Sequence, residues 1–218
     1  MRWFLVLAVC LLPAVAQAGA WARDKGSLYL SVTGYASDSG QAEGSIYAEY
    51  GLTERLTLGA KVFGGPDTST EALVFLTTAF RRDKRIKLAF STGVGAEQPA
   101  DGGDILGLGQ LGLHAGMGLP RGWLALDVYA TLTADLANTT ELPDPDYKAD
   151  LTFGHRLSDR WSLIAQLQGG KDAGGEAYLK AAPSVGLSVG RADLQLGVVW
   201  GVTNDDSRKI ALGTSLRF

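Results

Sequence analysis

His114 and Asp127 are the two residues of this sequence whose types and spacing best suit acid–base chemistry. If residues 120–121 form the tip of a tight turn, the flanking segments pair so that these two side chains face each other. A His–Asp pair can orient a general base, and a hydroxyl such as Ser91 or Thr131 would complete a nucleophilic arrangement. The same pair can equally be a hydrogen-bonded filler of a polar interior, so both interpretations stay open.

Other charged residues recur inside segments that are otherwise apolar on one side. They are Glu49, Lys61, Lys87, Lys148, Asp150 and Lys180. Each lies on the polar face of a segment in which every second residue is apolar, as His114 and Asp127 do. A period of two is that of a β-strand, in which successive side chains point to opposite sides. The elements that position these charges are therefore predicted to be strands.

Such segments follow one another through most of the chain. The twelve predicted strands are 27–35, 45–52, 56–64, 71–80, 86–96, 110–119, 123–133, 147–155, 161–169, 177–190, 194–202 and 209–218. Glycine is abundant, at 29 residues, and no long helical pattern occurs outside the first part of the chain. These features predict an all-β fold. Pro183 lies within the tenth segment and cannot donate to a ladder, so a bulge is expected there.

The connections between these strands alternate in length and in charge. Tight turns, which carry mainly Arg and Lys, are predicted at 52–55, 82–85, 119–122, 157–160 and 190–193. Longer loops, which carry mainly Asp and Glu, are predicted at 36–44, 65–70, 97–105, 135–146, 171–176 and 203–208. Short periplasmic turns alternating with longer external loops are typical of bacterial outer-membrane barrels. The prediction is a transmembrane antiparallel up-and-down β-barrel of 12 strands, with 10 or 14 strands as alternatives.

The apolar faces of the strands support a location in lipid. In LTLGAKV (56–62) and LQLGVVW (194–200), the face opposite the polar one carries only Leu, Ala, Val and Trp. A charge on the lipid-facing side of a barrel costs roughly 2–4 kcal/mol at the middle of the bilayer. The backbone N–H and C=O groups of an open sheet edge find no hydrogen-bond partners in hydrocarbon, so the last strand is expected to pair with the first. The charged residues named above then line the lumen.

The first eighteen residues form a separate unit. MRWFLVLAVCLLPAVAQA has a basic second residue, an apolar stretch and small residues at Ala16 and Ala18, which is typical of a secretory signal peptide. We expect cleavage after Ala18, with Ala16 as the alternative, leaving one barrel domain at 19–218 that begins with a short tail (19–26). The stretch ending at Cys10 loosely resembles a lipoprotein attachment box, but its apolar core continues past that cysteine. The formal charge of −3 does not favour binding to nucleic acid.

The chain finishes KIALGTSLRF (209–218), so its last residue belongs to a predicted strand. With the signal peptide, the alternating segments and the ending Leu216-Arg217-Phe218, the chain resembles the Gram-negative outer-membrane β-barrel proteins. That resemblance implies that Leu216 and Phe218 belong to a terminal signal that the barrel-assembly machinery recognises. EYGLTERLTLGA (49–60) is similar to stretches of the outer-membrane transporters grouped with the phenol meta-pathway, and the chain's size resembles the small oligogalacturonate-channel barrels.

The function predicted from these features is passive diffusion of small polar or amphipathic solutes through a charged lumen in the outer membrane, after Sec-type export and without a cofactor. A structural or interaction barrel without transport is the first alternative, and a lipid-modifying hydrolase is the second. No catalytic residue and no His or Cys metal cluster is assigned. The acidic loops, above all 135–146, could hold Ca²⁺ or Mg²⁺ loosely. Expected partners are outer-membrane lipid, lipopolysaccharide and the barrel-assembly machinery, with the oligomeric state unspecified.

Overall fold

The structure is a computed structural model that describes residues 19–135 and 143–218. Its strands are Leu28–Ser37 (β1), Ala42–Gly51 (β2), Leu56–Gly65 (β3), Thr68–Ala79 (β4), Ile86–Gln98 (β5), Leu106–Leu119 (β6), Gly122–Ala134 (β7), Asp146–Arg156 (β8), Trp161–Lys171 (β9), Ala177–Ala181 (β10), Ser184–Val189 (β11), Ala192–Thr203 (β12) and Arg208–Arg217 (β13). Within the described ranges, no helix is long and apolar enough to span a membrane. The expected signal peptide and part of loop 135–146 lie outside the described residues.

The strands form one closed antiparallel sheet. β10 and β11 together make one strand of the barrel, because both pair with β9 on one side and with β12 on the other. β13 pairs with β12 and also with β1, so the last strand meets the first. The result, over the described residues, is a closed 12-strand barrel, as the alternating pattern and the requirement for closure predicted.

The distribution of polar and apolar side chains is the reverse of that in a soluble protein. Large apolar side chains lie exposed on the outside, with Val94 at 71% and Leu212 at 64%. The buried polar side chains that the strands place on the inside are Glu49, Thr57, Thr77, Ser91, His114, Asp127, Asp150 and Ser184. An exposed apolar surface of this extent is unfavourable in water and favourable in hydrocarbon. The exterior is therefore built to face lipid, and the interior to face polar groups.

The external loops are shorter than predicted, and the difference is large at two hairpins. The connection between β1 and β2 is 38–41, and that between β3 and β4 is 66–67. The ladders extend to the pairs Ala36–Ala42 and Gly65–Thr68, through residues whose polarity predicted a loop. Backbone hydrogen bonding needs no apolar side chain once a strand has left the hydrocarbon, so polar residues can continue a ladder there. The predicted alternation of short and long connections is therefore wrong at these two hairpins.

The bulge expected at Pro183 lies elsewhere. The register against β12 is the same before and after this proline, and the shift occurs earlier, between Leu179 and Lys180. Pro183 accepts a hydrogen bond from the Val198 N–H at 3.1 Å but has no N–H to return. The proline removes one ladder bond, which divides β10 from β11, and leaves the pairing in register.

The short tail expected before β1 is instead an inner segment, Gly19–Asp24, which lies inside the barrel as far as Arg23, whereas Asp24 is exposed. Ala20 is 1% exposed, and Ala22 and Arg23 are also buried. Ala22 packs with two alanines of β4 and β5, Ala79 and Ala89. The inner segment reaches the lumen from the end that carries the tight turns, where β1 begins. It therefore occupies space that the sequence pattern had assigned to an open lumen.

Candidate solute pathway

Arg23 anchors the inner segment to the barrel wall. Its Nε donates to Glu49 Oε2 at 2.6 Å, and both side chains are 6% exposed. The Tyr47 hydroxyl donates to the other oxygen of that carboxylate at 2.8 Å. The Arg23 backbone N–H donates to Thr57 Oγ1 at 3.0 Å, and its guanidinium lies 4.1 Å from the centre of the Tyr29 ring. Both oxygens of the buried carboxylate are hydrogen-bonded, as the burial of a charge requires.

Replacing Glu49 by alanine is expected to destabilise the barrel strongly. Removing one partner of a buried ion pair costs about 3–5 kcal/mol, because the other charge stays buried without it. Glu71→Ala is the matched control, since Glu71 lies 3.8 Å from Lys61 and both side chains are about a third exposed. Such a pair contributes less than about 1 kcal/mol. Urea unfolding of the barrel in detergent micelles measures both losses, and equal losses would contradict the anchoring role.

A chain of hydrogen bonds joins β5, β6 and β7 inside the barrel. The register places His114 directly opposite Asp127, as predicted from the turn, and His114 Nδ1 lies 2.7 Å from Asp127 Oδ1. His114 Nε2 lies 2.9 Å from Ser91 Oγ. The order and the distances are those of a Ser–His–Asp triad. Of the two hydroxyls considered from the sequence, Ser91 joins the chain, whereas Thr131 accepts a hydrogen bond from Gln110 at 3.0 Å.

The inner segment covers this chain of hydrogen bonds. Gly19 packs so closely on the imidazole of His114 that a Cβ at this position would lie 2.5 Å from Nδ1. The ring of Trp21 fills the space where a side chain at Gly116 would stand. Ser91 is 5% exposed and His114 is 4% exposed. The Ser91 hydroxyl is therefore shielded from the open part of the lumen.

The remaining members of the predicted lumen set are distributed along the inner wall rather than gathered at one point. Three lysines are paired with acids, with Nζ–carboxylate distances of 3.8 Å for Lys61–Glu71, 3.1 Å for Lys148–Asp150 and 2.8 Å for Lys180–Asp205. Lys87 lies near a tight turn, and its Nζ donates to the carbonyl oxygen of Arg82. These ion pairs largely cancel the charges that the sequence placed in the lumen.

Asp205 belongs to the external loop that follows β12. Burial raises the pKa of its carboxyl group, but hydrogen bonds from Lys180 and Ser207 outweigh that effect, so the net pKa lies below its usual value. The carboxylate therefore remains charged at neutral pH and holds the loop to Lys180 on β10.

A cavity of about 340 Å³ occupies the part of the lumen beside β1 and β7–β13. Uncharged polar side chains form much of its wall, namely Thr33, Thr152, Gln166, Gln168, Ser184 and Gln195. Tyr29, Tyr35 and Trp123 add aromatic surface, and Asp127 is the one acid among the lining residues. The lumen is thus divided into a filled side, with the inner segment, and an open side with an amide- and hydroxyl-rich wall.

Hydrogen bonds hold the wall amides in place. Gln166 Nε2 donates to Thr152 Oγ1 at 3.1 Å, and Gln168 Nε2 donates to Gln166 Oε1 at 2.7 Å. Each of these amides keeps further donor or acceptor capacity for a solute. Sequence reasoning missed the glutamines because it searched the polar faces for charges. The signal was present in WSLIAQLQG (161–169), where the two glutamines alternate with the outward-facing Ala165 and Leu167.

A closed antiparallel barrel with an apolar exterior, a polar interior and a cavity along one wall defines a β-barrel of the outer-membrane class. Solved structures share this fold. A KdgM porin matches with a TM-score of 0.62 and 8% identity, covering 87% of this chain and 99% of its own. A KdgM porin in complex with disordered oligogalacturonate matches with a TM-score of 0.61 and 9% identity, with the same coverage. A NanC porin matches with a TM-score of 0.58 and 11% identity, covering 87% of this chain and 98% of its own.

Identities of this size show likeness of fold alone. The expected resemblance to small oligogalacturonate-channel barrels is confirmed at that level. No family model matches the chain, and no curated protein matches its sequence. The similarity to transporters of the phenol meta-pathway therefore stays a prediction.

Proposed function

We propose that this protein is an outer-membrane channel through which small, uncharged polar solutes diffuse. The observation that carries the proposal is the cavity beside β1 and β7–β13, whose wall offers amides and hydroxyls. Such groups exchange hydrogen bonds with the hydroxyls of a passing solute at little net free-energy cost. None of the residues that line this cavity is Lys or Arg. An acidic sugar would lack charge-assisted partners there, so we favour neutral solutes over the oligogalacturonate seen with the KdgM porin.

A tryptophan in the wall tests the pathway. Thr33 lines the cavity, whereas its neighbour Val32 faces outward and is 51% exposed. In planar bilayers we expect stepwise conductance from the wild type, a loss of about half or more of that conductance in Thr33→Trp because the ring fills the cavity, and no change in Val32→Trp. Electrical silence of the correctly folded wild type would contradict the channel and favour a structural or interaction barrel.

We infer that the protein is not an enzyme. The Ser91–His114–Asp127 arrangement is the observation that favours a hydrolase, but two findings support a packing role for it. Ser91 does not line the cavity, and Gly19 covers the imidazole that would act as its base. Release of fatty acid from outer-membrane lipid that is abolished by Ser91→Ala would overturn this inference.

We also propose an outer-membrane location reached by Sec-type export, with removal of residues 1–18. The apolar exterior and the signal-like sequence support it. At the end of the barrel with the longer loops, several carboxylates are exposed, among them Asp38, Asp101, Asp104, Asp172 and Glu176. Loosely bound Ca²⁺ or Mg²⁺ would bridge them to lipopolysaccharide phosphates. No resident cofactor is proposed, and the terminal strand is proposed to engage the barrel-assembly machinery.

A further inference from the structure

Asp127 differs from the other buried carboxylates of the barrel. The carboxylates buried inside the barrel among the described residues include Glu43, Glu49, Asp127 and Asp150. Glu43 lies 2.6 Å from Lys209 Nζ. Glu49 lies 2.6 Å from Arg23, and Asp150 lies 3.1 Å from Lys148. Asp127 has no Lys or Arg nitrogen within 4 Å in the described part of the chain, and its partner is the His114 ring. The Asp127 side chain is 11% exposed, and a carboxylate buried to this extent is usually matched by a full positive charge.

The inner segment brings its first residue onto the His114 ring, which is the hydrogen-bond partner of this carboxylate. Arg23 contacts β2 and β3, Trp21 contacts β6 at Gly116, and Gly19 contacts His114, so the segment crosses the lumen toward β7. A Cβ on Gly19 would lie 2.5 Å from His114 Nδ1, which is itself 2.7 Å from Asp127 Oδ1. The backbone nitrogen of Gly19 is bonded to the same Cα and lies within about 5 Å of that ring nitrogen.

We propose that cleavage after Ala18 places the α-ammonium group of Gly19 against Asp127, and that this ion pair stabilises the inner segment in its position inside the barrel. Water hydrolyses the Ala18–Gly19 peptide bond, the carboxylate leaves with Ala18, and the new amine of Gly19 takes up a proton beside the acid. The tight packing on His114 excludes any side chain at this first position. Signal-peptide cleavage therefore adds a contact that folding of the uncleaved chain cannot supply to the inner segment.

This proposal distinguishes the two cleavage positions that the sequence allows. Cleavage after Ala16 would leave the nitrogen of Gly19 in an uncharged amide, which cannot neutralise Asp127. Only cleavage after Ala18 creates an ammonium group at Gly19, on the side of the barrel where Asp127 has no Lys or Arg partner among the described residues. The inference does not depend on channel activity, because it concerns the chemical state of Gly19.

Amine labelling of protein purified from the outer membrane of an expressing host tests the proposal. Intact mass should show Gly19 as the first residue. Reductive methylation of the folded barrel should modify the Gly19 amine at least about tenfold more slowly than in the unfolded chain, and Asp127→Asn should remove most of that protection. Asp205→Asn is the matched control, since Asp205 pairs with Lys180 in an external loop, and it should leave the protection unchanged.

A second variant keeps the proposal testable if Asp127→Asn fails to fold. A chain refolded with one alanine before Gly19 retains every side chain and moves the ammonium away. Its amide hydrogens at residues 20–24 should exchange about tenfold faster than those of the authentic chain. A first residue other than Gly19, equal labelling of wild type and Asp127→Asn, or unchanged exchange in the extended chain would each overturn the proposal.

Discussion

Deletion of residues 19–24 is expected to raise single-channel conductance by about twofold or more, because the ionic path widens over the filled side of the lumen. The inner segment packs against β2, β3 and β6, where Arg23 contacts Thr57 and Gly19 contacts His114. β1 begins only at Leu28, so the deletion leaves every barrel ladder intact. Planar-bilayer recordings of the signal peptide fused directly to residue 25 give the measurement.

The deletion requires a control for changes near the start of the barrel. Lys25 is exposed and adjoins the inner segment, so Lys25→Ala should conduct as the wild type does. Entry of larger neutral sugars in liposome-swelling assays should increase in parallel with the conductance of the deletion variant. A deletion variant that folds normally and conducts no better than the wild type would show that the inner segment does not limit the path.

Removal of Phe218 is expected to lower the amount of assembled barrel by about tenfold or more, because it takes away two backbone hydrogen bonds worth about 1 kcal/mol each. The Phe218 N–H donates to the Leu28 carbonyl at 2.9 Å, and the Leu28 N–H donates to the Phe218 carbonyl at 3.1 Å. The ring is 58% exposed on the outer surface, where an aromatic side chain favours the membrane interface. The heat-modifiable band in outer-membrane fractions measures assembly.

Phe218→Tyr separates the backbone contribution from that of the ring. It retains both closing hydrogen bonds and an interfacial aromatic side chain, so it should assemble as the wild type does. Molecules of the truncated chain that do assemble should conduct normally, since Phe218 lies outside the lumen. Normal assembly of the truncated chain would show that the terminal residue is incidental to barrel closure.

The barrel itself could be predicted from the sequence because every second residue of a transmembrane strand faces lipid and must be apolar. In β13, Ile210, Leu212 and Leu216 are exposed, and the residues between them point inward, as the alternation of KIALGTSLRF predicted. The His114–Asp127 pairing followed from the turn, since an antiparallel hairpin fixes which residues face each other. Both inferences rest on local, periodic constraints.

The inner segment and the cavity could not be predicted in the same way. Arg23 binds Glu49 and Thr57 across gaps of 26 and 34 residues, and no periodicity marks the segment that carries it. Its position depends on the shape of a lumen that exists only after closure. The charges predicted to line an open pathway are mostly paired, because side chains of one strand or of neighbouring strands meet on the inner face, as in Lys148–Asp150 and Lys61–Glu71. Which part of the lumen is filled depends on contacts between residues that are distant in the sequence, so the local pattern does not predict it.

The pairing of β1 with β13 also orders events in time. β1 is the first strand to be synthesised, and its partner is the last, so one edge of β1 keeps unsatisfied donors and acceptors until the whole chain has been delivered. Closing a loop of nearly the full chain length costs entropy before any of its contacts form. Leu28 therefore cannot form its two hydrogen bonds with Phe218 until the whole of the barrel sequence is present.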